Sequence, residues 1–389
     1  MSLMTRLFSG VAVAAALAFS PLAAEAADIS IAIGSEPSTL DPQIANDGAE
    51  RAVNDNIYET LLKRTPTGEL VPGLAEAMPT QVDDKTWEFK LRSGISFHNG
   101  EPFNADAVVH SVERVIDPNF NSAQASYFGS VTGAEKVDDL TVRITTSGPD
   151  PLLPARMYWM KIVPASFSAD AKFAEAPVGT GPYKFAGWTR GSDIVIEAND
   201  AYWGDKPSID KVTYRFLSEA GMRVSSLLAG EVDLITNLLP EFTSSVPKYE
   251  AVTGIETSII ILSTENEATK DVRVRKALDL SIDRDALANS LFGGYATPAP
   301  GQMANAKAFG FDPSLPPFEY DPEKAKALIK EAGAEGKTVK LLGEAGRWLK
   351  DRELIEAVAA YWSEAGVNVD IRIEEFGEYL NQLFDQKIR

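Results

Sequence analysis

The chain has 389 residues, 44% of them hydrophobic, which is enough length and apolar content for two or three separately cored domains. Its formal charge of −19 argues against nucleic acid and anionic membranes as partners, because both demand clustered Lys and Arg. The lack of cysteine excludes disulfides, thiolate metal sites and thiol nucleophiles, and two histidines are too few for a histidine-rich metal centre.

Arg6 precedes an apolar run from Leu7 to about Phe19, followed by Pro21 and the small-residue site Ala24-Glu25-Ala26. This is the pattern of a secretory signal peptide cleaved before Ala27, and the run is short for a bilayer span. Residues 1–26 are therefore expected to be removed, with no cysteine behind them to carry a lipid anchor.

Ile29, Ile31 and Ile33 alternate with small residues as a first strand, ended by Gly34-Ser35-Glu36-Pro37. Leu40-Asp41-Pro42 and a polar loop through Asn46-Asp47-Gly48 lead into a helix with Val53, Ile57 and Leu61 on one face. From Thr86 the pattern is strict: Trp87, Phe89 and Leu91 alternate with polar residues, Ser93-Gly94 turns, and Ile95 and Phe97 start a second short strand. Asn99-Gly100 turns again, and Asn104 sits as the N-cap of a helix carrying Val108, Val109, Val112 and Val115.

Further strands are expected at Thr141–Thr145, around Ile194 and Ile196, at Val212, Tyr214 and Phe216, and from Val232 to Thr236. A proline–glycine turn spans Pro177 to Tyr183, and a helix runs from Met222 to Ala229. The character changes near Thr257. Asp271 caps a helix, Pro298 to Pro317 is proline-rich loop, and Asp321-Pro322 is an N-cap with a favoured first-turn proline. Val339 and Leu341, a helix from about Arg352 to Ala365, and the alternating Val367, Val369, Ile371 and Ile373 read as strand, helix, strand, as in an α/β lobe.

The order W-x-F-x-L-R-x-G-x-x-F-H-x-G-x-x-F-x-A-x-x-V-x-x-S from Trp87 to Ser111 resembles the signature of the peptide- and nickel-type periplasmic solute-binding proteins of ABC importers, family 5. S-E-P-x-x-L-D-P at Ser35, the G-T-G-P-Y of Gly179 to Tyr183 and G-E-V-D at Gly230 continue the likeness, which covers essentially residues 28–389. The resemblance implies an α/β, two-lobed type II periplasmic-binding fold. Lobe I would comprise residues 27–58 and 164–256, with an inserted subdomain at 59–163 and lobe II at 257–389. Members of the family normally continue about a hundred residues further, so the C-terminal part of the fold is expected to be missing.

Candidate ligand-binding residues come from the matched segments. Asn46 lies in the loop after L-D-P, Tyr127 in an inserted-subdomain segment, and Asn237 at the end of the G-E-V-D-L strand, where crevices form. Arg347 and Trp348 occupy the loop between a second-lobe strand and helix, and Phe376 begins the last helix. An arginine suits a carboxylate through a two-point fork. Ordinary core packing for the aromatics and solvated charge for Arg347 are the competing readings.

Enzymatic motifs such as G-x-S-x-G or H-E-x-x-H are absent. The acid doublets Asp83-Asp84, Asp138-Asp139 and Glu374-Glu375 read as solvated charge, and Asp106 with His110 and His98 reads as scaffold rather than metal site. The expected function is capture of a short peptide by hinge closure, with no catalysis, cofactor or metal, and delivery from the periplasm to an inner-membrane ABC permease. An opine or oligosaccharide is the runner-up ligand, a nickel chelate the third, and a secreted hydrolase the remote alternative. A monomer is the family's habit.

Overall fold

The structure is a computed structural model that describes residues 27–45, 47–66, 68–167, 171–252, 254, 257–302, 311–345, 348–375, 379 and 382. The expected signal peptide, residues 1–26, lies outside the described residues. Among the described residues no helix is long and apolar enough to cross a membrane.

Strand β1 (Asp28–Ile33) leads through a loop into helix α1 (Gly48–Ile57), then the short pair β2 (Leu62–Arg64) and β3 (Leu70–Pro72). Strands β4 (Thr80–Asp83) and β5 (Thr86–Lys90) precede helix α2 (Ala105–Ile116), and β6 (Val131–Asp138) and β7 (Thr141–Thr146) follow it. They form an antiparallel sheet in the order β4-β5-β7-β6. Phe89, Val108, Val112, Val115, Val142 and Ile144 fill its core. The Asn104 cap forms as expected, its side-chain Oδ1 accepting from the Ala107 N–H at 3.2 Å.

Strands β8 (Tyr183–Thr189), β9 (Asp193–Ala198) and β10 (Lys211–Phe216), helix α3 (Ala220–Leu228) and β11 (Leu234–Ile235) complete the first sheet, ordered β11-β1-β10-β9-β8. β1 lies parallel to both β10 and β11, so their C-terminal ends open on one edge. Helices α4 (Val272–Leu280), α5 (Pro322–Glu331) and α6 (Asp351–Glu364) surround the parallel pair β12 (Thr338–Ala345) and β13 (Asn368–Glu375). Trp362, buried against this group, donates its indole N–H to the Leu278 carbonyl at 3.1 Å.

Three expectations are corrected. The α1 helix stops at Ile57, because the Gly181 N–H takes the Ile57 carbonyl at 2.9 Å; Leu61 then packs in the core of the antiparallel sheet instead. Ile95 to Phe97 is no strand: only an isolated Ser96–Pro102 bridge forms, and Pro102 has no N–H with which to extend a ladder. The strand expected from Val232 to Thr236 is reduced to Leu234–Ile235, since Asn237 turns left-handed at φ 53°.

Candidate functional site

The parallel strands β1, β10 and β11 end side by side, the position at which open α/β sheets form ligand crevices. Arg223, buried on α3, fixes these ends. Its guanidinium donates to the carbonyls of Leu217 (2.7 Å) and Ser218 (2.8 Å) after β10, and of Thr236 and Asn237 (both 3.2 Å) after β11. A Cβ at Gly34, just past β1, would stand 3.4 Å from the same guanidinium. Burial lowers the Arg223 pKa from its ordinary value, but an arginine stays charged throughout the accessible range. Asn237, expected in the ligand cleft, therefore sits on this edge; its left-handed backbone is one that asparagine tolerates.

From this edge the 34–45 loop runs to α1 under tight control. Glu36 accepts from the Trp188 indole at 2.9 Å and the Gly191 N–H at 3.1 Å, and Glu50 accepts from Ser38. Asp41 is buried against Arg114, which also donates to Gln43 at 2.8 Å. Gln43 in turn donates to the carbonyls of Ser111 and Lys161. The 122–124 segment is tied to the same loop: Ser122 Oγ donates to the Gln43 carbonyl, Gln124 Nε2 to the Pro42 carbonyl, and the Ala123 N–H to the Ile44 carbonyl.

That stitching sets Tyr127, 45% exposed, beside the loop and against Trp159, with ring centroids 6.0 Å apart. Tyr158 meets Trp159 edge-on at 4.9 Å. The Arg51 guanidinium lies 5.0 Å over the Trp159 ring, and that of Arg64 lies 5.5 Å over Tyr158. Arg51, Tyr158, Trp159 and Arg64 were not among the expected site residues. The adjacent Tyr158-Trp159 pair was the available signal, since the segment's deeply buried residues are the flanking Met157 and Met160.

Trp348, 41% exposed, belongs to the turn opening α6, where its N–H donates to Asp351 at 3.1 Å. The next turn residue but one, Lys350, has φ 58° and reaches Glu241 at 2.7 Å. Glu241 lies in the short turn Pro240–Phe242 just after Asn237, so this ion pair brings the crevice edge and the Trp348 turn together. Partial burial works to raise the Glu241 pKa, but the hydrogen bond from Lys350, a hydrogen bond from its own backbone N–H and the Lys350 charge together outweigh it and hold the carboxyl below its usual range. The bond to Glu241 raises Lys350. Tyr249, further along the segment that follows Glu241, meets Tyr295 hydroxyl to hydroxyl at 2.7 Å. Asn46, Arg347 and Phe376 lie outside the described residues.

The histidines serve the scaffold. His98 Nδ1 accepts from the Gly179 N–H at 3.3 Å, so Nε2 carries the proton donated to the Gly181 carbonyl at 3.0 Å. His110 Nε2 meets the Phe167 carbonyl at 2.6 Å, while Asp106 pairs with Lys136 at 2.8 Å. Asp83 and Asp138 accept from N–H groups two residues on, at Lys85 and Leu140, as turn formers do. Among the described residues no group of three His, Asp or Glu side chains is placed to hold a metal ion.

The mixed α/β architecture is that of the type II periplasmic-binding fold. It resembles the ABC transporter-associated periplasmic binding protein DppA from Helicobacter pylori in complex with the peptide STSA, at 27% identity and a TM-score of 0.79, over 92% of this chain and 75% of that one. It equally resembles AgaA from A. tumefaciens in complex with agropinic acid, at 28% identity and a TM-score of 0.79, over the same shares of the two chains. The sequence matches the bacterial extracellular solute-binding proteins, family 5 Middle, over residues 69–388, and the chain belongs to this family. It is also similar to the glutathione-binding protein GsiB of Pectobacterium atrosepticum, 29% identical over 388 residues, covering 97% of this chain and 75% of that protein. Against other glutathione-binding relatives the chain spans 62% of their length.

Proposed function

We propose that the protein is the periplasmic binding component of an ABC importer, which captures a short peptide between two lobes and delivers it to an inner-membrane permease without catalysis. Lobe I would be residues 27–58 and 164–256, with 59–163 inserted as a subdomain and lobe II from 257 onward. The observation that carries the reading is the shared edge where the parallel strands β1, β10 and β11 end, the place at which open sheets form crevices, meeting the second α/β unit at the Glu241–Lys350 pair. A ligand touching both sides binds the closed arrangement better and shifts the population toward it. Likeness to a glutathione-binding protein and to a peptide complex favours peptides, glutathione being itself a tripeptide. Likeness to a complex with agropinic acid keeps an opine as the second reading.

The test is a thermal-shift and calorimetric panel of dipeptides, tripeptides, glutathione, opines and oligosaccharides on the mature protein. Stabilisation by peptides that grows with concentration supports the proposal. Stabilisation by oligosaccharides alone would reject the peptide reading, and turnover of a peptide by pure protein would reject the non-catalytic one.

A further inference from the structure

The Tyr127–Trp159 wall carries a charge pattern opposite to that of the whole molecule. The chain as a whole is strongly acidic, at −19. On this wall stand Arg51, Arg64 and Lys161, and the carboxylate paired with Arg51 and Lys161 is Asp55. Asp55 is already engaged, because its Oδ1 sits 2.5 Å from Lys161 Nζ, whereas its Oδ2 is 3.9 Å from Arg51 Nε. Among the described residues the other side-chain bond of Arg51 is long, from Nη2 to the Tyr158 hydroxyl at 3.5 Å. Among the described residues the one hydrogen-bond partner of the Arg64 side chain is the Gly68 carbonyl at 3.4 Å. Arg114 offers the contrast: buried in the same region, its fork is filled by Asp41 and Gln43.

Arg51 thus keeps a planar fork of N–H donors with weak partners, held in orientation by the face of Trp159. Its side chain is 36% exposed, so an incoming group can reach it, while the indole excludes water from one side. A fork of this kind matches a carboxylate in a two-point, charge-assisted contact. Trp159 and half-exposed Tyr127 then offer a flat apolar surface to the part of the ligand next to that carboxylate.

We infer that Arg51 is the carboxylate-binding residue of this site and that the ligand class is an organic acid, peptide-like or otherwise, with an apolar segment beside its carboxylate, rather than a neutral sugar or an amine. The inference rests on the solute-binding reading above and sharpens it. Arg64, with no carboxylate partner among the described residues, supplies positive potential that steers such an anion in from solution, while Lys161 occupies Asp55.

The experiment incubates the mature full chain with an equimolar mixture of dipeptides and tripeptides, their C-terminal amides, hydroxy acids, neutral oligosaccharides and polyamines. Retained solutes are identified by mass spectrometry and their affinities then measured by calorimetry. Expected are retention of free carboxylates over matched amides by ten-fold or more, loss of that preference in R51Q, and partial recovery in R51K, which keeps the charge without the fork. Circular dichroism of each variant checks the fold, and W159L, which removes the plate but not the charge, should weaken acids with apolar neighbours more than small hydroxy acids. Retention of amides or sugars as strongly as acids, or a folded R51Q that prefers acids as before, would overturn the inference while leaving solute capture standing. No retention of any solute by folded protein would overturn both.

Discussion

Arg114 on α2 grips both carboxylate oxygens of Asp41, a residue 73 positions earlier in the chain. Both side chains are buried, and the guanidinium is further packed 3.9 Å from the Phe120 ring and 5.0 Å from that of Phe167. The pair locks the 34–45 loop to the antiparallel-sheet unit, and the Tyr127 segment hangs on the same loop.

Replacing Asp41 by Ala leaves a buried guanidinium facing no carboxylate, so we expect a loss of about 3–5 kcal/mol in urea melts. The double variant Asp41→Ala with Arg114→Met should lose less than Asp41→Ala alone, because no unpaired charge remains. A single-variant loss below about 1 kcal/mol would show that the pair does not anchor the loop.

Gly179 and Gly181 lie on the end of α1 at a distance only glycine permits. A Cβ at Gly179 would stand 2.0 Å from the Ile57 carbonyl oxygen, and one at Gly181 2.5 Å from that of Asn56. These are backbone atoms and cannot swing away, so Gly179→Ala should cost about 3 kcal/mol or more. Gly221→Ala, in helix α3 with nothing within 4 Å of its Cβ, is the control and should stabilise by up to about 1 kcal/mol. Equal effects at the two positions would refute the packing argument.

Burial pushes the His98 pKa below its ordinary value of 6.5, with the Gly181 hydrogen bond only partly opposing it. The folded protein therefore binds this proton less readily than the unfolded chain does. The stability His98 contributes is complete above about pH 6.5 and is lost as pH falls from there through the lower folded pKa. Protonating Nδ1 would also set it against the Gly179 N–H. Melting temperature should drop between pH 7.5 and pH 5.5 more steeply in the wild type than in His98→Gln. Parallel curves for the two proteins would exclude His98 as the source.

The Glu241–Lys350 pair is half exposed on the glutamate side, at 47%, so its worth is limited to roughly 1 kcal/mol and about a five-fold change in a two-state population. In Glu241→Gln we expect small-angle scattering of the ligand-free protein to show a modestly larger mean radius, with the wild type converging on it in high salt. Because Lys350 holds the Glu241 pKa down, the pair's contribution persists above the ordinary carboxylate range and disappears only as pH falls through the lowered value. A variant with scattering identical to wild type at low salt would remove the pair from any role in closure.

Local order was legible in the sequence wherever one segment carried the whole signal. The β5 alternation, the Asn104 cap and the Asp321-Pro322 helix start all stand as read, with the Asp321 carboxylate accepting from the Lys324 N–H at 2.9 Å. The family signature rests on the same segment, and so the fold class was legible too. The misreadings fell where a distant strand or loop intervened. Gly181 ended α1 by claiming its last carbonyl from 124 residues downstream, a competition that helical periodicity along α1 does not register.

The candidate site divides in the same way. Tyr127, Asn237 and Trp348 were visible as segments, yet Arg51, Tyr158, Trp159 and Arg64 were not, because nothing along the chain relates a helix position to an aromatic pair more than a hundred residues away. The sequence by itself determined the strongly patterned elements such as β5 and the capped helix starts, the family and the acidic, cysteine-free character, since these follow from local periodicity, capping and composition. Only the tertiary structure decided which charges are spent and which remain available. A guanidinium's chemistry depends on what stands within a few ångströms of it, and the chain reaches that arrangement only by packing Arg114 on Asp41 and Arg51 on Trp159.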